Sequence, residues 1–336
     1  MAKRIISSRT GEPVSLGYTL SSEEHGPLEL VEIAQRAEDA GFEFVSVSDH
    51  FHPWVTEQGH SPFVWSVLGA VASRTERLGI GVGVTCPIMR IHPAIIAQAT
   101  ATTALLSEGR FFFGVGTGEA LNEHVIGRRW PTADVRLAML EEAVAVIREL
   151  WSGETVSHRG EFYEVENARL FDAPDTPPPV IVSAFGPKAV RVAARIGDGY
   201  WGHTPDAEIL ERFEREGGKG PRYAQVKICW AKTEEEARQT VHRVWPNGGL
   251  SGQLSQDLPT WLHFEQAVKT VTPEDASSSI PCGPDPQPVI ESLRTFVDAG
   301  YDHLYLHQVG PDQDGFFRFW ADELQPAVAE LVPVGR

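Results

Sequence analysis

The chain has 336 residues, 42% hydrophobic and 22% charged, the balance of a globular protein with a substantial core, and no apolar run is long enough to span a bilayer. Lysine and arginine total 29 against 46 aspartate and glutamate, and the formal charge of -17 argues against general binding to nucleic acid or an anionic membrane. Cys86, Cys229 and Cys282 are far apart, odd in number and form no CxxC pair, which argues against a disulfide framework or zinc knuckle; with no apolar export segment in MAKRIISSRT, the expected compartment is the cytoplasm.

Residues 1–12 read as a flexible tail. Val14 to Tyr18 reads as a first strand, and Pro27 to Ala40 as a helix with Leu30, Ala34, Ala37 and Gly41 at helical spacing. Phe44 to Ser48 alternates as a strand, and Pro53 prevents its continuation. Ser61 and Pro62 are expected to cap and start a helix ending near Arg74; the glycine-interleaved strand Leu78 to Val84 and a helix from Pro93 to Leu106 follow. Arg110 to Gly116 is the next strand, and Asp134 to Trp151 a long amphipathic helix.

A hairpin at Thr155 to Val165 interrupts this rhythm. It resumes with a strand at Val180 to Ser183, a helix from Pro187 to Ile196, strands at Gly199 to Trp201 and Gln225 to Trp230, and a helix capped by Thr233 with acids in its first turn. Residues 245–285, rich in Gly, Pro, Ser and Asp, read as an insertion over the site. Pro288 to Ala299, His303 to Leu306 and Phe316 to Leu331 complete the chain as helix, strand and terminal helix. About eight strands alternating with helices predict a single α/β domain, a (β/α)8 TIM barrel rather than an open doubly wound sheet.

In such a barrel the segments after the strands build one face. Asp49, His50 and Trp54 stand after the second strand, and the imidazole of His50 is a side chain that can take a hydroxyl proton; a histidine bonded within a loop is the plainer alternative. His50 and His52 form an H-x-H pair, but His203 and Asp302 do not complete an evident metal set, so no metal is expected. Glu119 stands where GVGTGE would need glycine for a dinucleotide fingerprint, leaving a glycine-rich strand end beside Glu119 and Asn122. Ser183 to Lys188 offers backbone amides at a helix start, with Lys188, Arg191 and Arg195 along one stripe: either an anion seat or a charged solvent face.

At SDHFHPW, GHSPF, PAIIAQA, GVGTGEALNE, LWSGETV, GPKAV and GDGYWG the chain resembles the glucose-6-phosphate dehydrogenase branch of the luciferase-like barrel superfamily, which uses the deazaflavin coenzyme F420. The resemblance implies a homodimeric (β/α)8 enzyme with His50 as base, Trp54 orienting the reacting groups and Glu119 associated with protonation at the reduced cofactor. It assigns Asp49, Asn122, Gly83 and Val84 to cofactor contact, with a cis peptide in a bulge at Gly83-Val84, and Ser183, Ala184 and Gly186 to the cofactor phosphate. Glu23, Asp206, Gln266 and Ser279 are placed at the substrate pocket. Relatives hold a sugar phosphate there with two lysines and an arginine, where this chain has Asp206, Gln266 and Ser279, so a dianion would lack paired cations.

The expectation is therefore an F420-dependent dehydrogenase of a neutral CH-OH donor, an unphosphorylated sugar or secondary alcohol. A flavin mononucleotide-dependent monooxygenase of the same superfamily and a deazaflavin-binding protein without turnover are the alternatives.

Overall fold

The structure is a computed structural model that describes residues 11, 13–250 and 252–329. Apart from Gly11, the expected tail lies outside the described residues. Among the described residues there are ten strands: β1 (Ser15–Leu20), β2 (Phe44–Val47), β3 (Gly79–Thr85), β4 (Phe111–Val115), β5 (Val156–Arg159), β6 (Glu164–Ala168), β7 (Val180–Ser183), β8 (Gly199–Gly202), β9 (Arg222–Ile228) and β10 (His303–Gln308). Eight of them close in the order β1-β10-β9-β8-β7-β4-β3-β2, every neighbouring pair parallel, and β5 and β6 form the separate antiparallel hairpin.

Alternation along each barrel strand divides two cores. On β2, Val45 and Val47 turn outward to the helices, where the helix Pro27–Asp39 buries Leu30, Ile33, Ala34 and Ala37. Phe44 turns inward and joins Phe112, Ile181, Trp201, Tyr223 and Tyr305 in a plug. The rings of Phe112 and Tyr223 stack at 4.9 Å, and Trp201 Nε1 donates to the Tyr305 hydroxyl at 2.6 Å. This close fit depends on glycine opposite the rings: a Cβ at Gly17 would press on the Phe44 ring, and one at Gly81 would overlap Phe112. Above the plug, the strand ends and the loops that follow them form the barrel mouth.

Most elements follow the expectation, but the helix Ala207–Arg215 was not anticipated, and β9 runs from Arg222 to Ile228 rather than from Gln225 to Trp230. The helix expected from Ser61 and Pro62 begins at Val64, with Phe63 in the cap position and no side-chain cap bond. Ser61 Oγ instead donates to the His50 carbonyl at 2.7 Å, so its hydroxyl braces the neighbouring strand-end loop. Thr233 does cap its helix, accepting from Glu236 N at 3.1 Å. The 245–285 segment contains the short helices Leu254–Asp257, Trp261–Ala267 and Pro273–Ser277.

Candidate active site

The ends of β2, β1, β10, β9 and β8 bring ionisable groups to one half of the mouth. His50 follows β2, with its Nε2 3.4 Å from Glu23 Oε1 and its Nδ1 3.2 Å from the His52 carbonyl oxygen. Glu23, buried after β1, also accepts from Ser48 Oγ at 2.6 Å and Ser21 Oγ at 3.1 Å, so its carboxylate has a fixed orientation. The Trp54 ring lies 5.0 Å from His50 and meets Phe264 edge-on at 5.0 Å, which joins the insertion to the base. Thr56 N donates to Glu265 Oε1 at 2.7 Å in the same junction.

Next to Glu23, Glu24 accepts from His307 Nε2 at 2.6 Å and from Gly310 N at 2.8 Å. Burial acts to raise the Glu24 pKa, yet His307 and the Gly310 amide outweigh it and hold the carboxyl below its usual value. Lys227, half-buried on β9, is the Cα partner of His307 on β10 and donates to Gln225 Oε1 at 2.7 Å. Withdrawal from water pulls its ammonium down to about 8, against the opposing pull of Glu23 and Glu24.

The other half of the mouth is rich in glycine. The Gly83-Val84 peptide bond is cis, and it lies where β3 slips register against β4 between Val82 and Thr85. A Cβ at Gly83 would overlap Ser46 Oγ and Trp201, so only glycine fits that bend. Val84 is half-buried against the plug, and a Cβ at Gly116 would approach its Cγ2 to 2.9 Å.

Asn122 Oδ1 accepts from the Phe51 and His52 amides at 2.8 and 3.3 Å while its Nδ2 donates to Glu119 at 3.2 Å. It therefore stitches the loop after β4 to the loop carrying His50. Asp49 is held by the Arg90 guanidinium at 2.7 Å and by Thr85 Oγ1, and Arg90 also pairs with the fully buried Glu123 at 3.5 Å. Asp49 and Asn122 thus fix the backbone around the mouth through side chains already engaged within the protein.

Ser183, the last residue of β7, is half-buried, and Ala184 is buried with its amide donating to the Trp201 carbonyl oxygen at 3.4 Å. Gly186 caps the helix Pro187–Ile196 without a side-chain bond, and nothing stands within 4 Å of the place its Cβ would occupy. The helix start after Gly186 has uncapped amides, which suit an anion. The neighbouring basic stripe is engaged elsewhere: Lys188 pairs with Asp134 at 2.7 Å, Arg191 with Glu216 at 3.5 Å, and Arg195 with Glu141. Between the two readings of the stripe, these pairs describe a charged solvent face.

The remaining substrate-pocket positions fall outside the His50 cluster. Asp206 Oδ1 accepts from Ile209 N at 3.1 Å as the cap of the helix Ala207–Arg215. Gln266 is exposed, and exposed Ser279 lines a groove with Glu234 and Arg238. Of the histidine and acid set, His52 Nδ1 is 3.2 Å from the Leu121 carbonyl oxygen, while Asp302 precedes β10 and bonds Arg222 N at 2.8 Å at the opposite barrel end. No group of three His, Cys, Asp or Glu side chains is gathered for a metal among the described residues.

Arg90, Glu123, Lys227 and the Glu24–His307 pair are missing from the sequence reading. Gln225 and Lys227, interleaved with Val226 and Ile228 on a strand buried on both faces, carried a legible signal: polar residues there must face a polar cavity.

The barrel and this mouth define the class of protein. Residues 13–303 match the luciferase-like monooxygenase family, and the chain belongs to that family. Among curated relatives, the F420-dependent glucose-6-phosphate dehydrogenase of Nakamurella multipartita is 35% identical over 97% of this chain and 100% of its own. The protein of that name from Kribbella flavida is 37% identical, covering 95% and 99%. Among solved structures, an F420-dependent secondary alcohol dehydrogenase in complex with an F420-acetone adduct superposes with a TM-score of 0.86 at 29% identity, covering 93% and 98% of the two chains. The coenzyme F420-dependent tetrahydromethanopterin reductase of Methanopyrus kandleri, at 20% identity and a TM-score of 0.75, shares the fold.

Proposed function

We propose that this protein is a coenzyme F420-dependent dehydrogenase of a neutral CH-OH donor, an unphosphorylated sugar or secondary alcohol in preference to glucose-6-phosphate. The observation carrying this reading is His50, set between the His52 carbonyl and the Glu23 carboxylate at the boundary between an ionisable and a glycine-rich half of the mouth. The coenzyme is supported by the F420-dependent names of relatives spanning the whole chain and of the solved alcohol dehydrogenase. The glycine-rich half suits a flat ring against Val84, and the uncapped amides after Gly186 suit its phosphate.

When bound, F420 supplies the two-electron acceptor at its C5 carbon. With Nδ1-H donated to the His52 carbonyl, His50 presents Nε2 as the acceptor for the donor's hydroxyl proton, and Glu23 faces the resulting imidazolium. Trp54 forms a wall beside that proton, and Asn122 orients Glu119 as the second proton-holding group. A neutral donor is supported by Asp206, Gln266 and Ser279, the residues that the resemblance aligns with phosphate-binding cations.

The test mixes the purified protein and F420 with phosphorylated sugars, free sugars and secondary alcohols and follows coenzyme reduction. A free sugar or alcohol should turn over, with glucose-6-phosphate the poorer donor. His50→Ala should lose about 10²-fold or more in kcat/KM while binding F420 normally. Preference for glucose-6-phosphate overturns the donor class, and undiminished His50→Ala turnover removes the base. Bound flavin with oxygen-dependent turnover favours a monooxygenase; coenzyme binding without reduction across the panel favours a binding protein.

A further inference from the structure

His50 and Glu119, the two groups that hold protons in the proposed reaction, stand on separate loops, after β2 and after β4. Glu119 is the cap residue of the short helix Ala120–Glu123, and the last two residues of that helix grip the His50 loop on either side of the base. Asn122 takes the Phe51 and His52 amides beyond it. Glu123 reaches the residue before it through Arg90, which follows β3 and bonds both loops. Arg90 Nη2 donates to Asp49 Oδ1 at 2.7 Å and to the Asp49 carbonyl oxygen at 3.4 Å. Its amide donates to Glu123 Oε2 at 2.7 Å and its Nε to Glu123 Oε1 at 3.5 Å. The side chains of Arg90, Asp49 and Glu123 are 8%, 1% and 0% exposed, so little water competes for these bonds. Thr85 Oγ1 completes the hold on Asp49.

We propose that Arg90 is a positioning residue: acting through Asp49, it sets the backbone of His50 against the loop that carries Glu119. The inference rests on His50 being the base. A guanidinium fork holds its partners in one geometry, and here it fixes residue 49 at both its carboxylate and its carbonyl oxygen, one residue before the imidazole. Loosening that residue leaves the chemistry of the imidazole intact but spreads its orientation, so fewer of the bound complexes are aligned for proton removal and the loss falls on kcat.

The experiment compares the full-length wild type with R90M, R90K, D49N and the D49N double variants, using F420 and the best donor. Fluorescence titration with F420 counts the binding sites, and kcat is expressed per site, so a smaller folded fraction does not register as lost catalysis. R90M should lose about tenfold or more in kcat with KM for the donor within about twofold of wild type, and R90K should recover only part of the loss, because an ammonium cannot reproduce the fork. On the D49N background R90M should cost less than about twofold, since the two substitutions remove one shared interaction. Wild-type kcat in R90M overturns the proposal, as does a loss confined to F420 affinity or an undiminished R90M loss on the D49N background. If R90M does not fold, R90K decides by the same criteria, alone and with D49N. His50→Ala separates the two levels: its undiminished turnover overturns the base, whereas its loss together with wild-type kcat in the Arg90 variants overturns the role of Arg90 alone.

Discussion

Glu123 accepts the Arg90 amide at 2.7 Å and shares the Arg90 guanidinium with Asp49, so two carboxylates surround one cation in a buried clamp. Burial is the largest influence and raises its pKa, the Arg90 contacts oppose it, and the result is a rise from 4.5 to about 7. Folding therefore favours protonated Glu123. Its ionisation carries no penalty below about pH 4.5; the penalty grows as pH rises towards 7 and is complete above that, reaching roughly 3 kcal/mol. Glu123→Gln cannot ionise, so its stability relative to wild type should improve by up to that amount between acid and mildly alkaline pH. Urea unfolding at both ends of the window measures it, and a difference between the proteins that stays constant with pH refutes the account.

The inner plug is where strands depend on one another. Phe112 of β4 occupies the space that a side chain at Gly81 of β3 would need, and it stacks on Tyr223 from β9. Gly81→Ala should therefore cost about 1–3 kcal/mol through overpacking, and Phe112→Ala about 3–5 kcal/mol through the cavity left behind. Because one ring causes both effects, the double variant should be more stable than the sum of the two costs implies. Additive costs in a denaturant-unfolding cycle would show that the two positions do not compete for that space.

At the scale of the molecule, the formal charge of -17 opposes the approach of any anionic donor. Lower ionic strength should raise KM for glucose-6-phosphate while leaving KM for a free sugar nearly constant, since only the charged donor responds to screening. Parallel steady-state titrations at low and high salt test this, and equal salt responses count against it.

Barrel strands and helices were legible because their periods are local: Phe44–Val47 alternates, and Pro93–Leu106 begins at a proline and ends near a loop. His50, Trp54 and Glu119 were legible because they follow strands. Ser61 was misread because Ser-Pro is a good helix start, whereas the neighbouring His50 carbonyl claims its hydroxyl. Lys227 was missed although it alternates with Val226 and Ile228, because its register partner His307 comes from β10, which chain order does not place beside it.

The sequence by itself determined the alternation of elements, the family and the residues presented at strand ends, because backbone periodicity and short motifs are local properties. Tertiary structure decided their partners. Closing the barrel puts β1 beside β10, and only then does Glu24 meet His307 at 2.6 Å and Glu23 come within electrostatic reach of Lys227. Charge interactions depend on separation and burial, which ring closure fixes and chain order does not.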